Sequence, residues 1–420
     1  MNKAIIRGLV GAAFVVSYAF AQTEGIALVG ARIDPVEGST IASGVVAMKG
    51  GLITYVGSGP APEGYKVIDV KGAWITPGFI DGAMTRGLKL PEPIANEARD
   101  DSTTVPTSLR PINRKGVRPD LRAADCLDLR LSLDSWYGAG FTSALLIPGS
   151  GTFRGQGALT ILDSGDAKSL VVLPSFGQGL AFTAGVGAGF PSTSFGVIAL
   201  YRQTMFDAQR YVLIPLKDRP KELEPLGSLA AILRGEQPML WFADSGKEIL
   251  RAINLADEYN AKLVVVGGRE AYKQMDELIA RKIPVIATVA IGDEPTQSTD
   301  PDAQQPEAYL EQRKASWREV SLNLVKLSQA GASFVLSSIG DAPSNFLKNI
   351  RAVVKLGLPK TTALRALTQG PADMIGVGSE LGSLKVGKRA CLTVFSGDPF
   401  EDKSVVTHVV VGGRVVEVKN

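Results

Sequence analysis

The middle of the chain, about residues 78–380, alternates short apolar runs with amphipathic helical patterns. Strands that are apolar on both faces and are separated by helices belong to a parallel sheet. Helical spacing of apolar residues occurs in segments 247–259, 272–282 and 316–330. At this length, the pattern predicts a (β/α)8 barrel. The predicted strands are 142–147, 170–173, 239–242, 263–266, 285–289 and 334–336.

Two polar stretches interrupt this alternation. Residues 90–120 are rich in Pro, Asp and Arg, and residues 292–313 are rich in Asp, Gln and Pro. Both are predicted to be long loops. The second follows a predicted strand, which places it at the carboxyl-terminal face of a barrel, where sites are built. It is either a lid or disordered surface, and the sequence favours neither.

Both ends of the chain have a different, β-rich pattern with tight turns. Short β-type runs separated by glycine turns fill residues 25–70 and return after residue 389. Neither end is large enough to bury a core of its own. We therefore predict one small β-sandwich built from residues 22–77 and 381–420, with a barrel of residues 78–380 inserted between them.

The first residues are typical of a secretory signal peptide. Lys3 and Arg7 precede an apolar stretch, and Ala19-Phe20-Ala21 is a small-x-small cleavage site. This predicts a signal peptide of residues 1–21 and a periplasmic or secreted protein, with an uncleaved anchor as the alternative. The apolar stretch is short for a membrane span and no later segment offers one, so no stable span is expected after cleavage.

Composition limits the partners and the redox chemistry. The formal net charge is +3, and the leader contributes two of these charges, so nothing indicates nucleic acid or an anionic membrane. Cys126 lies in a helix-like run and Cys391 in a strand-like run, which favours two separate buried thiols over a bridge. Two cysteines and one histidine, His408, cannot form an ordinary four-ligand zinc site.

Residues 75–87 read ITPGFIDGAMTRG. This segment resembles the start of the barrel in the amidohydrolase superfamily, where Pro-Gly-hydrophobic-Ile-Asp precedes His-x-His. Residues 382–394 are similar to the ending Gly-Ser-Leu-x-x-Gly-Lys-x-Ala-Asp-Leu-Val-Val of that superfamily, with Cys391 in place of the aspartate. The resemblance is most specific in 75–81, 239–273 and 333–395 and is closest to the imidazolonepropionase-like branch. It implies a barrel inserted into a small β-sandwich.

The resemblance also implies a catalytic centre with Zn or another divalent metal, whose ligands are missing here. Ala83 and Thr85 stand at the two histidine positions of His-x-His. Phe242 stands at the strand-5 histidine position, and Ile339 stands at the strand-8 aspartate position. With these ligand positions replaced, no recognisable metal centre is left, and we expect no bound cofactor.

Other polar residues are weaker candidates for binding. Asp81, Asp244 and Asp341 lie near predicted strand ends, where they could hold Mg²⁺ or Ca²⁺; the alternative is that Asp81 caps backbone amides and the other two are loop carboxylates. Arg86 and Arg154 could bind an anionic ligand, although surface ion pairs are favoured. The glycine-rich stretches 149–155 and 184–190 match no dinucleotide or phosphate loop and are interpreted as turns or tight packing.

These observations predict a secreted amidohydrolase-like protein that lacks the metal centre. A non-catalytic role is favoured, either binding of a small molecule or assembly as a homo-oligomer or as a hetero-oligomer with an active relative. The alternative is an active hydrolase that cleaves carbon–nitrogen bonds, in peptide-like or cyclic amides, through an unconventional site. No serine elbow of the Gly-x-Ser-x-Gly type occurs, and His408 is expected to be structural.

Overall fold

The structure is a computed structural model that describes residues 24–91, 116–183 and 191–419. The predicted signal peptide, most of the polar stretch 90–120 and the glycine-rich stretch 184–190 lie outside these residues. Within them, none of the helices is both long and apolar enough to cross a lipid bilayer.

Strands and helices follow one another through most of the described chain. The strands are β1 (Ile26–Ile33), β2 (Ile41–Lys49), β3 (Leu52–Gly57), β4 (Lys66–Asp69), β5 (Trp74–Pro77), β6 (Phe79–Met84), β7 (Phe141–Leu146), β8 (Phe153–Ile161), β9 (Val171–Ala181), β10 (Met239–Ala243), β11 (Leu263–Gly267), β12 (Val285–Thr288), β13 (Phe334–Ser337), β14 (Leu392–Phe395), β15 (Val406–Val411) and β16 (Arg414–Glu417). The α-helices are Asp134–Gly138, Ala167–Leu170, Ser194–Leu213, Ala230–Leu233, Gly246–Asp257, Met275–Ala280, Glu307–Ser321, Asn323–Gln329, Phe346–Lys355, Lys360–Leu367 and Gln369–Ile375. Short 3₁₀ helices are Ala123–Asp125, Leu216–Asp218, Lys221–Leu229, Ala271–Gln274, Pro301–Ala303 and Pro343–Asn345.

One eight-stranded sheet joins the two ends of the chain. Its order is β16-β15-β14-β5-β1-β2-β3, with β4 beside β1. The join is the antiparallel pair of β5 and β14, in which Pro77 lies opposite Leu392 and Trp74 lies opposite Phe395. Strands from residues 22–77 and 381–420 therefore pair directly. The assignment of these residues to a separate β-sandwich stays a prediction.

The second sheet also has eight strands, in the order β13-β12-β11-β10-β9-β8-β7-β6. Strands β9 to β13 are parallel neighbours and helices connect them, so the α/β class is confirmed. Strict (β/α)8 alternation is wrong for one strand, because β8 runs antiparallel to both β7 and β9. The chain passes from β7 to β8 through residues 147–152 without a helix.

The sequence hides β8 because glycine interrupts it. Gly155 has a φ of +109°, and a Cβ there would lie 2.4 Å from the carbonyl oxygen of Leu121. Only glycine fits such a close approach of two backbone segments at positive φ. The stretch 149–155, interpreted as a turn or tight packing, therefore includes the beginning of a strand.

Phe79, the first residue of β6, packs both sheets into a common core. Its ring centroid lies 6.2 Å from that of Phe141 in β7 and 5.6 Å from that of Phe395 in β14. All three rings are fully buried. Burying one such side chain stabilises a fold by roughly 1.5–3 kcal/mol. The contact fixes the second sheet against the strands from both chain ends.

Several local predictions need correction. The helix-like run around Cys126 contains only the 3₁₀ turn Ala123–Asp125, and Cys126 is half-exposed, whereas Cys391 is buried; both thiols are free. The predicted helix 316–330 is two helices that meet at Leu322. The polar stretch 292–313 is not all loop, because an α-helix begins at Glu307.

Candidate functional site

A cavity of about 310 Å³ lies where the carboxyl ends of the parallel strands β9 to β13 meet. Each strand contributes the residues at or just after its end, as ligand sites in α/β sheets generally require. The volume is at the lower end of the range for small-molecule sites. The lining consists of Arg154, Ala181, Phe182, Thr183, Phe242, Ala243, Asp244, Glu248, Val266, Gly267, Arg269, Thr288, Ile339 and Gly340.

Arg154 reaches this cavity because β8 is antiparallel. The beginning of β8, not its end, lies at the carboxyl edge of the parallel strands, with Phe153 opposite Leu180 in β9. Phe242 of β10 lies opposite Ala181 of the same strand. The guanidinium carbon of Arg154 lies 4.0 Å from the centroid of the Phe242 ring, which is a cation–π contact. Three neighbouring strands thus fix this arginine over an aromatic wall.

Arg154 is only 9% exposed, so its prediction as a surface ion pair is wrong. Its Nε donates a long hydrogen bond of 3.4 Å to the carbonyl oxygen of Gly151. No described carboxylate forms an ion pair with it. Burial lowers the pKa of the guanidinium to about 10, and no negative charge of a described residue offsets this. At neutral pH the side chain is therefore a buried cation without an ion-pair partner among the described residues.

Acidic residues lie at the rim, after β10. Glu248 is engaged in the start of helix Gly246–Asp257: its Oε2 accepts from the amides of Ser245 at 3.0 Å and Asp244 at 3.2 Å. Asp244 is exposed overall, but its Oδ1 packs closely against Gly267. A Cβ at position 267 would lie 2.5 Å from this oxygen. Desolvation raises the pKa of the Asp244 carboxyl; Arg269 opposes the rise and Glu248 adds to it.

The four former metal-ligand positions do not all reach the cavity. Phe242 and Ile339 line it. Ala83 is fully buried in β6, Thr85 is half-buried just beyond that strand, and neither belongs to the lining. The assignment of these positions as former ligands stays a prediction.

The side chains present do not fit a transition-metal centre. Alanine, phenylalanine and isoleucine offer no lone pair, and a threonine hydroxyl is a poor ligand for zinc. Across residues 24–91, 116–183 and 191–419, no cluster of three or more His, Cys, Asp or Glu side chains could hold a metal ion. We therefore derive no metal-dependent step for this chain.

Asp81 lies where two strands meet and does not line the cavity. It is fully buried, and its carboxylate accepts hydrogen bonds from the Ser338 amide at 3.0 Å, the Ser338 hydroxyl at 2.5 Å and the Ala83 amide at 3.3 Å. These bonds connect β6 with the residue after β13. Burial raises the pKa of the Asp81 carboxyl despite these donors. This geometry agrees with the alternative given in the sequence analysis, in which Asp81 caps backbone amides.

The remaining candidates lie outside the cavity. Asp341 accepts from the side-chain amides of Asn345 at 2.9 Å and Asn349 at 2.8 Å, which is a local contact before helix Phe346–Lys355. Arg86 is exposed and does not line the cavity. His408 lies in β15 with its Nδ1 3.1 Å from the Thr407 hydroxyl. The sequence did not single out Arg269 or Glu248; the only signal was their position soon after apolar runs.

A larger groove of about 420 Å³ lies at the opposite edge, near the amino-terminal ends of β10 to β12. Its charged side chains are exposed to solvent, and one of them, Arg281, binds both Asp257 and Glu277. Nothing in this groove leaves a buried charge without a partner. The smaller cavity at the carboxyl ends is therefore the better candidate site.

Comparisons with known proteins agree with this fold. The sequence profile of the amidohydrolase family matches residues 317–416. An amidohydrolase from Thermotoga maritima MSB8 has a similar solved structure, with a TM-score of 0.73, 23% identity and coverage of 94% of this chain and 100% of that one. The structure of a Xaa-Pro dipeptidase with bound methionine is similar with a TM-score of 0.55 and 16% identity, and the match covers 94% of this chain and 100% of that one. The structure of a putative prolidase from Bifidobacterium longum is similar with a TM-score of 0.54 and 16% identity, and the match covers 94% of this chain and 95% of that one. No curated protein sequence matches.

Proposed function

We propose that this chain, a member of the amidohydrolase superfamily by its matching segment and fold, binds a small molecule without hydrolysing it. The observation that carries the proposal is a cavity at the carboxyl ends of the parallel strands whose walls at Phe242 and Ile339 are apolar. The place for a ligand is kept, while side chains that could activate water through a metal are replaced.

The proposal includes a closed barrel, residues 78–380. Its support is the contact between the two edge strands of the second sheet. The Ser337 hydroxyl in β13 donates to the carbonyl oxygen of Ala83 in β6 at 2.7 Å, and the Ser338 amide donates to Asp81 at 3.0 Å. Such contacts are expected where the first and last strands of a barrel meet. Closure protects both edges from pairing with other chains.

The proposal also includes export and assembly. The basic and apolar leader, residues 1–21, favours a periplasmic or secreted protein. A chain without catalysis of its own could act as a homo-oligomer or beside an active relative. Neither point affects the cavity argument.

One observation favours a second function, hydrolysis of a carbon–nitrogen bond without a metal. Asp244 lies at the rim of the cavity, and desolvation raises the pKa of its carboxyl. A carboxylate with a raised pKa is a better general base than an ordinary aspartate. Two of the similar structures are described as a Xaa-Pro dipeptidase and a putative prolidase, so peptide-like amides are the substrates to test.

Metal content and turnover of the purified mature protein separate the two functions. We expect well below one equivalent of Zn, Mn, Co or Fe by elemental analysis, because no imidazole faces the cavity. We also expect no cleavage of a panel of dipeptides and cyclic amides. A stoichiometric metal that resists dialysis would overturn the proposal. Metal-free turnover that is lost in Asp244→Asn would establish the second function instead.

A further inference from the structure

We propose that Arg154 is the anchor for a carboxylate group, and that the ligand is a small monocarboxylate with an apolar body. This inference rests on the proposed binding function and names the ligand class for the same cavity. Arg154 is 9% exposed and lines the cavity directly. Its recorded hydrogen bond uses only Nε, so the terminal nitrogens have no hydrogen-bond partner among the described residues.

Other buried cations of this protein have several hydrogen-bond acceptors around them. Arg351 is 8% exposed, and its guanidinium donates to the backbone carbonyl oxygens of Pro399 at 3.0 Å, Asp402 at 3.4 Å and Ser404 at 2.6 Å. All three guanidinium nitrogens of Arg351 therefore donate a hydrogen bond. Arg154 has the same burial without these partners. A buried cation left so poorly satisfied is costly unless a ligand completes it.

Lys388 gives the same contrast. Its buried ammonium donates to the Ser383 hydroxyl at 2.6 Å, the Gln369 side chain at 3.2 Å and the Leu381 carbonyl oxygen at 3.3 Å. The half-exposed carboxylate of Glu37 lies 3.4 Å away. The protein can therefore surround a buried cation with acceptors where the charge serves the fold. The part of the chain that the structure describes provides no comparable set of acceptors at Arg154.

The geometry at Arg154 favours a carboxylate over other anions. The guanidinium carbon lies 4.0 Å from the centroid of the Phe242 ring, so this ring covers one side of the cation. The planar fork of guanidinium donors suits two parallel hydrogen bonds to a carboxylate. Asp244 and Glu248 at the rim disfavour a multiply charged phosphate. Phe182, Phe242 and Ile339 offer apolar contact for the rest of a small ligand.

A matched pair of probes tests the charge requirement. 3-Phenylpropionate and 3-phenylpropionamide have the same shape, but only the first carries a carboxylate. Isothermal titration of the full mature protein is expected to show binding of the carboxylate and at least about tenfold weaker binding of the amide. Acetate, which lacks the apolar body, is expected to bind more weakly than 3-phenylpropionate.

Matched variants test the residue. Arg154→Met should abolish binding of 3-phenylpropionate, and Arg154→Lys should weaken it, since an ammonium cannot form the paired contact. Arg86→Met is the control, because Arg86 is exposed and outside the cavity lining; it should bind as the unchanged protein does. Circular dichroism and the melting temperature confirm that each variant is folded.

Clear outcomes would overturn the inference. These are equal binding of the amide and the carboxylate, no binding of either, or unchanged binding in a folded Arg154→Met variant. The proposed function fails differently, through a stoichiometric metal or through turnover. A protein that hydrolyses amides and also needs Arg154 for carboxylates would refute the first proposal and keep this one.

Discussion

Asp81 and Arg154 are both buried and ionisable, but their hydrogen-bond partners differ. Asp81 is fully buried where β6 meets the end of β13, and both of its oxygens accept hydrogen bonds. Arg154 is 9% exposed at the carboxyl edge of the same sheet, and among the described residues it has a single long hydrogen bond, to a carbonyl oxygen. The well-satisfied carboxyl group of Asp81 holds two strands together. The poorly satisfied guanidinium of Arg154 lines the candidate cavity.

This difference helps to separate buried polar groups that hold a fold together from those that are available to a ligand. A buried polar group with all its partners contributes to a unique structure. A buried cation without an anion costs stability, and a fold keeps such a cost where binding or catalysis uses it.

The largest effect is expected from Asp81→Leu. This change leaves the Ser338 amide, the Ser338 hydroxyl and the Ala83 amide without their acceptor, and each such loss costs roughly 1–3 kcal/mol. We expect the free energy of unfolding to fall by about 3 kcal/mol or more in urea titrations. Asp69→Leu, at an exposed strand position, is the control. If both substitutions lowered the free energy of unfolding equally, the hydrogen bonds of the buried Asp81 carboxyl group would not stabilise the contact between β6 and β13.

Much of this fold was readable from the sequence. The parallel strands β10 to β13 were predicted nearly to their ends, because apolar runs and helical periodicity coincide there. The two chain ends were expected to share a sheet, and β5 does pair with β14. The motif around Asp81 indicated the superfamily, and the family match and shared fold confirm that resemblance.

The candidate site was only half readable. Phe242 and Ile339 were named as replaced ligand positions, and both line the cavity. Arg154 is a candidate for binding an anion from the sequence, but a surface ion pair is favoured there, because the glycines around it hide the antiparallel strand that carries it inward. Burial of a long charged side chain depends on which strand lies beside which, and no local pattern encodes that. The length of β9 was missed for a similar reason, since Pro174 and Gly177 interrupt its apolar pattern.

The pH dependence of stability should carry the signature of Asp81. Its pKa in the folded state is raised from 3.8 by burial, so above about pH 4 the folded state holds a proton that the unfolded state has lost. The free energy of unfolding, relative to Asp81→Asn, should therefore fall as pH rises through this window, by at most about 1.4 kcal/mol per pH unit.

Asp128→Asn is the control of opposite sign. Hydrogen bonds from the Arg130 amide and side chain lower the pKa of the exposed Asp128 carboxyl. Its contribution to stability is present above its unfolded pKa and is lost as pH falls. If the difference between the unchanged protein and Asp81→Asn grew with rising pH, the three hydrogen bonds would outweigh burial, and Asp81 would be ionised throughout.

The smallest effect on stability is expected at Arg154, where removal of the charge costs one long hydrogen bond and one contact with an aromatic ring. Arg154→Met, without ligand, should leave the free energy of unfolding unchanged or raise it by about 1 kcal/mol, since an apolar chain replaces a poorly satisfied buried cation. Arg351→Met removes an arginine of almost equal burial whose donors are used, so it should cost about 2 kcal/mol through stranded carbonyl oxygens. Urea titration of both variants compares the same substitution in two settings. Should Arg154→Met be as damaging as Arg351→Met, Arg154 would be a structural cation like Arg351, and the reason to expect a ligand there would disappear.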